Sequence, residues 1–228
     1  MRKQEDDIKS RMRNDADAVS SQDYIKSALK RVVDIIGSII FFVLFGPLYV
    51  LLWWLVLLTT GGPAVYKHKR VGRNGREFNC LKFRSMVINS DEVLKDLLAT
   101  DLAALNEWNT TFKLKEDPRI TKFGRFIRKS SLDELPQFWN VLRGDMSLVG
   151  PRPVVRKELD LYYGPYAHVY TLVRPGITGP WQVGGRSDLS YAERVALDTN
   201  YVRGWTVIGD FLLIAKTVTA VFKRRGSY

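Results

Sequence analysis

From Val32 to Leu58 the chain carries 27 residues, VVDIIGSIIFFVLFGPLYVLLWWLVLL, of which Asp34 alone is charged. As one helix this run measures about 40 Å, enough to cross a hydrocarbon layer of about 30 Å. Length alone therefore says membrane. Two details argue against a simple span. Gly46-Pro47 sits near the middle, where proline removes a helix hydrogen bond and bends the axis. Both flanks are basic, with Lys26, Lys30 and Arg31 before the run and Lys67, Lys69, Arg70 and Arg73 after it. Positive flanks belong on the cytoplasmic side, so both ends are expected there and the helix is expected to break at Gly46 and Pro47, enter one leaflet and return. Trp53 and Trp54 suit an anchor at headgroup level and a core position about equally.

The chain divides at this run into a polar, loosely helical leader over 1–29, a re-entrant membrane hairpin over 30–60 and a catalytic domain over 61–228. The expected fold class is α+β: helix-break-helix hairpin, a small β-hairpin sheet and interfacial amphipathic helices. Ala64 to Arg84 reads as the β-hairpin, turning at Gly72-Arg73-Asn74-Gly75, because Asn-Gly tolerates positive φ at both positions. Lys82 and Arg84 alternate with Leu81 and Phe83, which puts both bases on one face. Cys80, the only cysteine among 228 residues, excludes an internal disulfide and lacks a His partner that would activate it. Ser90 opens a helix whose apolar stripe runs to Leu105, and a loop is expected from Asn106 to Lys115. Ile120 to Lys129 is basic and amphipathic, suited to a membrane surface. Ser190 to Arg203 is expected to be helical, with Glu193 and Asp198 as candidate site acids. The apolar FLLIAKTVTAVF stretch near the end suits a helix resting on the membrane.

The chemistry is concentrated in Ser130–Pro153, SSLDELPQFWNVLRGDMSLVGPRP. Asp133 and Glu134 lie there inside a cationic field of Arg125, Arg128, Lys129, Arg143, Arg152 and Arg156. Ser131 to Glu134 also fits a capping box, and spacing alone favours a cap over catalysis. Pro136 places the pair at or just before a helix N-terminus, where an ionised carboxylate and a bound phosphate are both favoured. Pro151-Arg152-Pro153 holds an arginine in a stiff turn suited to a bidentate phosphate contact. Arg174 to Ser187, RPGITGPWQVGGRS, reads as a glycine-rich loop whose backbone admits a ligand.

These blocks, with KFRSM at Lys82 to Met86, resemble the bacterial sugar transferase family, the monotopic phosphoglycosyl transferases, in the expected order from about Lys30 to Tyr228. Related small members usually carry Ser-Pro where this chain has Gly46-Pro47. The resemblance implies transfer of hexose-1-phosphate from a UDP-sugar, UDP-galactose or UDP-glucose, to undecaprenyl phosphate at the cytoplasmic face of the bacterial inner membrane. It implies Asp133 as nucleophile and metal ligand, Glu134 in support, and Mg²⁺ as cofactor. Lys82, Arg84, Arg128 and Arg152 are implied to hold substrate phosphate. Pro151, Arg174, Gln182, Arg186 and Asp198 are implied to hold the nucleotide-sugar.

A net charge of +11 calls for an anionic partner: phosphorylated substrate, anionic lipid or nucleic acid. A non-enzymatic membrane-surface adaptor would also account for that charge, but it leaves the acidic pair and the glycine-rich stretch unexplained. No nucleic acid is therefore expected, and homo-oligomerisation is left open.

Overall fold

The computed structural model describes residues 21–111, 114–184 and 189–222. Residues 1–20 of the expected leader, Arg186, and the basic residues after Phe222 lie outside the described residues. The architecture combines helices with two small sheets, in line with the expected class.

The apolar run forms helix α1 (Ser21–Thr60), with Pro47 inside it. The element stays helical on both sides of Gly46 and Pro47. Proline removes one hydrogen bond, and an apolar helix of this length survives that loss. By length and composition Ala28–Thr60 is long and apolar enough to cross a membrane. One side of α1 is nevertheless built into protein. Asp34, Ser38, Leu52 and Val56 are buried, whereas Val43, Leu44 and Leu58 are among the most exposed apolar residues.

Contacts along the buried side explain the one charge in the run. Asp34 Oδ1 accepts from the Ser147 hydroxyl and the Leu148 N–H, both at 2.9 Å, so one oxygen of the carboxyl is satisfied inside the fold. Arg31 donates to the Val141 and Leu142 carbonyls at 2.5 and 2.8 Å, and Phe41 stacks on Phe138 at 3.7 Å. Further along, Leu52 and Val56 join Ala64, Phe83 and Ile127 in one buried cluster. At its start, Lys30 reaches Asp210 at 2.5 Å, and Asp210 also accepts from Tyr201 and Trp205 at 2.8 and 2.9 Å. Both ends of the apolar run are thus fastened to the same body.

The hairpin forms as expected, with β1 (Val65–Val71) antiparallel to β2 (Glu77–Phe83) and Lys82 opposite Tyr66. Asn74 and Gly75 take φ of 59° and 70°, the positive values that the Asn-Gly pair predicts. Beyond it, α2 (Ser90–Thr100) is followed at once by α3 (Leu102–Thr111), so the loop expected from Asn106 is helical up to Thr111. The cause is Asp101, whose Oδ1 accepts from the Ala103 and Ala104 N–H groups at 2.8 and 3.0 Å and starts a new helix.

Helix α4 (Lys122–Lys129), capped by Thr121, buries Ile127 against α1 and leaves Phe126 exposed. After α5 (Gln137–Arg143) comes β3 (Ser147–Val149), which pairs in parallel with β4 (Gly176–Thr178). The glycine-rich stretch is accordingly not one loop: it supplies β4 and the short helix α6 (Pro180–Gly184). A Cβ on Gly176 would stand 2.1 Å from the Gly150 nitrogen, and one on Gly179 2.0 Å from the Gly150 oxygen. At these two positions glycine admits a neighbouring backbone rather than a ligand. Helices α7 (Tyr191–Arg203) and α8 (Val207–Phe222) complete the described chain.

Candidate active site

The acidic pair sits on a turn pinned from both sides. Ser131 enters at φ 58°, the left-handed region, and Leu132–Glu134 form one tight helical turn ahead of α5. Leu132 and Leu135 flank the pair and pack against the buried cluster under α1. Asn140 of α5 then ties the helix to β2: its Oδ1 accepts from the Leu81 N–H at 2.9 Å and its Nδ2 donates to the Asn79 carbonyl at 2.8 Å. That docking brings Lys82 over the turn. Lys82 Nζ lies 2.6 Å from Glu134 Oε1 and 4.0 Å from Asp133 Oδ2.

The capping-box alternative is not what forms here. Ser131 makes no side-chain cap, and Glu134 is turned to Lys82. A true capping box occurs at Ser190 and Glu193, which removes Glu193 from the candidate site acids.

Asp133 is largely buried, its side chain 13% exposed. Burial pushes its carboxyl up from 3.8 to about 6; Lys82 opposes this, the Glu134 charge adds to it, and Arg128 opposes it. Arg128 is held by its Nε, which donates to the Ser85 hydroxyl at 2.7 Å. Two cations from different elements therefore face the carboxylate pair.

The other expected phosphate and nucleotide residues divide. Arg152 lies over the Trp181 ring, 5.0 Å from its centroid, and its charge acts on Lys82, Arg70 and Asp198. Pro151 frames it by accepting at its carbonyl from the Gly176 N–H at 2.8 Å. Gln182 follows Trp181 on α6. Asp198 is 1% exposed and accepts from the Tyr163 hydroxyl at 2.9 Å; burial pushes its carboxyl up to about 7. Arg84 is directed elsewhere, to the Pro63 carbonyl at 2.9 Å and the Tyr66 ring at 5.7 Å. Arg174 donates to the Gly144 carbonyl at 2.8 Å and lines a separate cleft of about 380 Å³ at the hairpin tip, with Arg73, Arg76 and Asp145. Its visible work is to satisfy the backbone where α5 ends.

Comparison with known proteins gives the family. The family model for bacterial sugar transferases matches residues 25–224. The chain belongs to the bacterial sugar transferase family. It is 54% identical over 200 residues to the undecaprenyl-phosphate galactose phosphotransferase of Salmonella typhimurium and 53% identical over 200 to the UDP-galactose-lipid carrier transferase of Erwinia amylovora. Each match covers 88% of this chain but 42% of the relative, so the chain spans less than half the length of these two proteins. With the exopolysaccharide production protein ExoY of Sinorhizobium fredii it shares 49% identity over 199 residues, covering 87% of this chain and 88% of that one.

Three further residues of this sugar transferase belong to the site's surroundings. His68 and Arg70 stand on β1 on the face that carries Lys82, with Arg70 Nη2 3.3 Å from His68 Nδ1. Burial, with the Arg70 and Lys82 charges, lowers the His68 ring to about 4, so it adds no charge at neutral pH. Their period-two spacing from Tyr66 was the available signal. Arg194 lies 4.8 Å from the Trp181 centroid, and sequence spacing gave no sign of it because the two residues sit on different helices. Cys80 is packed with Val141 and Met146, and burial pushes its thiol up to about 11, which suits a packed residue.

Proposed function

We propose that this sugar transferase moves hexose-1-phosphate from a UDP-hexose, UDP-galactose or UDP-glucose, to undecaprenyl phosphate and releases UMP, the opening step of exopolysaccharide, O-antigen or capsule assembly. The observation that carries the reading is Asp133, a largely buried carboxylate under the charges of Lys82, Arg128 and Glu134. The names of the relatives point to the same substrates.

Asp133 attacks the sugar-linked phosphorus; the bond from that phosphorus to the bridging oxygen breaks, and UMP leaves with the electron pair. A phosphosugar-aspartyl group remains. The lipid phosphate then attacks the same phosphorus, the bond to the Asp133 oxygen breaks, and the carboxylate is restored in polyprenyl-diphospho-hexose. Lys82, Arg128 and Arg152 stabilise charge on the transferring group. Lys82 also holds Glu134, which keeps the second carboxylate beside the first.

The donor set fits Mg²⁺. Asp133 and Glu134 offer hard oxygen ligands, and no group of three His, Cys, Asp or Glu side chains able to hold a metal occurs among the described residues. Mg²⁺ is commonly held by one or two carboxylates plus substrate phosphates, so Asp133, supported by Glu134, would hold it. Bound there, it would offset repulsion between nucleophile and donor.

In this reading residues 30–60 enter the inner membrane from the cytoplasmic face and return within one leaflet, with 61–228 as the catalytic domain on that face and 1–29 as its leader. Support comes from α1 itself, whose Arg31 end and Val56 end both dock on the body that carries Asp133. A cysteine placed near residue 10 and another near residue 226 should both escape a membrane-impermeant thiol reagent in intact cells and react after lysis. Reaction at one end only would mean a span.

Detergent-solubilised protein with UDP-galactose or UDP-glucose, undecaprenyl phosphate and Mg²⁺ should release UMP in proportion to lipid-linked hexose. No UMP from either donor would reject the reading and favour the adaptor.

A further inference from the structure

Two arginines share one indole, and the charge of one of them, Arg152, acts on Lys82. Arg152 and Arg194 lie 5.0 and 4.8 Å from the Trp181 centroid, and Arg194 lies 5.0 Å from the Tyr191 centroid as well. Tyr191 is in turn stacked on Tyr162, 3.7 Å between centroids with the rings 9° apart. The cations and rings therefore form a ladder, Arg152, Trp181, Arg194, Tyr191, Tyr162, that starts at the arginine acting on Lys82 and finishes on exposed tyrosines.

The ladder and α1 divide the surroundings of Asp133 between them. Leu132 and Leu135, on either side of the acidic pair, pack against the apolar cluster that includes Leu52 and Val56 of α1. Lys82 feels the charge of Arg152, and Arg152 shares Trp181 with Arg194, so a row of cations leads away from Lys82 among aromatic rings. Stacking engages the two faces of a guanidinium, whereas its N–H donors lie in the plane and meet a phosphate edge-on. A diphosphate donor whose sugar-linked phosphorus faces Asp133 carries a second phosphate next to the first, and that group departs with the nucleoside.

We propose that Arg194, positioned by Trp181 and Tyr191, binds the phosphate that leaves with the nucleoside, while Arg152 serves the phosphate that is transferred. This rests on the transferase reading above. It makes Arg194 a residue of the first half-reaction only, because the nucleoside monophosphate has gone before the lipid phosphate reacts.

Calorimetric titration of the detergent-solubilised protein with UMP and with uridine tests the assignment. Arg194→Gln should weaken UMP by about 10- to 100-fold and leave uridine unchanged, the loss expected for a charged hydrogen bond. Reaction of preformed phosphosugar enzyme with polyprenyl phosphate should keep its wild-type rate. Wild-type UMP affinity in the variant, an equal loss for uridine, or an equal slowing of the lipid step would each overturn the proposal. Should Arg194→Gln fail to fold, Arg194→Lys decides: a point charge cannot both stack and fork, so UMP should still weaken, and unchanged affinity would sink the idea. Wild-type protein that binds UMP yet never exchanges it into UDP-hexose would refute the transferase reading, while the binding comparison still decides the Arg194 contact. Wild-type protein that does not bind UMP would refute both.

Discussion

Asp133→Asn is expected to abolish UMP release, by about 10⁴-fold or more, because an amide cannot attack phosphorus and a nucleophile's partners do not replace it. Donor binding should survive, since Lys82, Arg128 and Arg152 are unchanged. The wild-type rate of the first half-reaction should rise with pH through about 6, where the buried carboxyl ionises. Stability should move the other way. A carboxyl raised from 3.8 to about 6 holds its proton more tightly in the fold than in the unfolded chain, so its contribution is full below 3.8 and is lost as pH rises through about 6. Asparagine stays neutral throughout. Asp133→Asn should therefore melt higher than wild type at pH 8 and lose that advantage by pH 4, in thermal denaturation followed at both pH values. Full activity in the variant would remove Asp133 from the chemistry.

Lys82→Met should cost about 10²- to 10³-fold in turnover at neutral pH, the range seen when one preorganised charge donor is lost. Lys82 Nζ is 2.6 Å from Glu134 and 4.0 Å from Asp133, and it is the leading charge that holds the Asp133 carboxyl down against burial. Without it two neighbouring carboxylates share a poorly solvated turn, so the proton is held to higher pH. The pH profile of UMP release should shift to the alkaline side, and raising pH should recover part of the loss. A lower rate with an unmoved profile would mean that Lys82 serves substrate alone.

What the sequence disclosed and what it withheld follow from the range over which each feature is set. The Asn74-Gly75 turn, the helix after Pro136 and the length of the apolar run depend on neighbouring residues, and they were legible. The pairing of Lys82 with Glu134 spans 52 positions and that of Asp34 with Ser147 spans 113, distances at which spacing carries no information. Pro47 was legible as the one proline of the apolar run, and helix continues on both sides of it. Gly176 and Gly179 were read as making room for a ligand, whereas Gly150 occupies that room. The bond that ties Arg174 to the Gly144 carbonyl spans 30 positions and was not legible either. Arg194 gave no sign because its partner Trp181 reaches it only once α6 and α7 meet.

The central claim is that Asp133 carries the phosphosugar between two substrates that never meet. Enzyme incubated with UDP-hexose, Mg²⁺ and labelled UMP, with no lipid phosphate present, should transfer label into UDP-hexose. Asp133→Asn should show no exchange, and Glu134→Gln should slow it without stopping it. Exchange that requires polyprenyl phosphate, or that persists without Asp133 and vanishes without Glu134, would contradict the account.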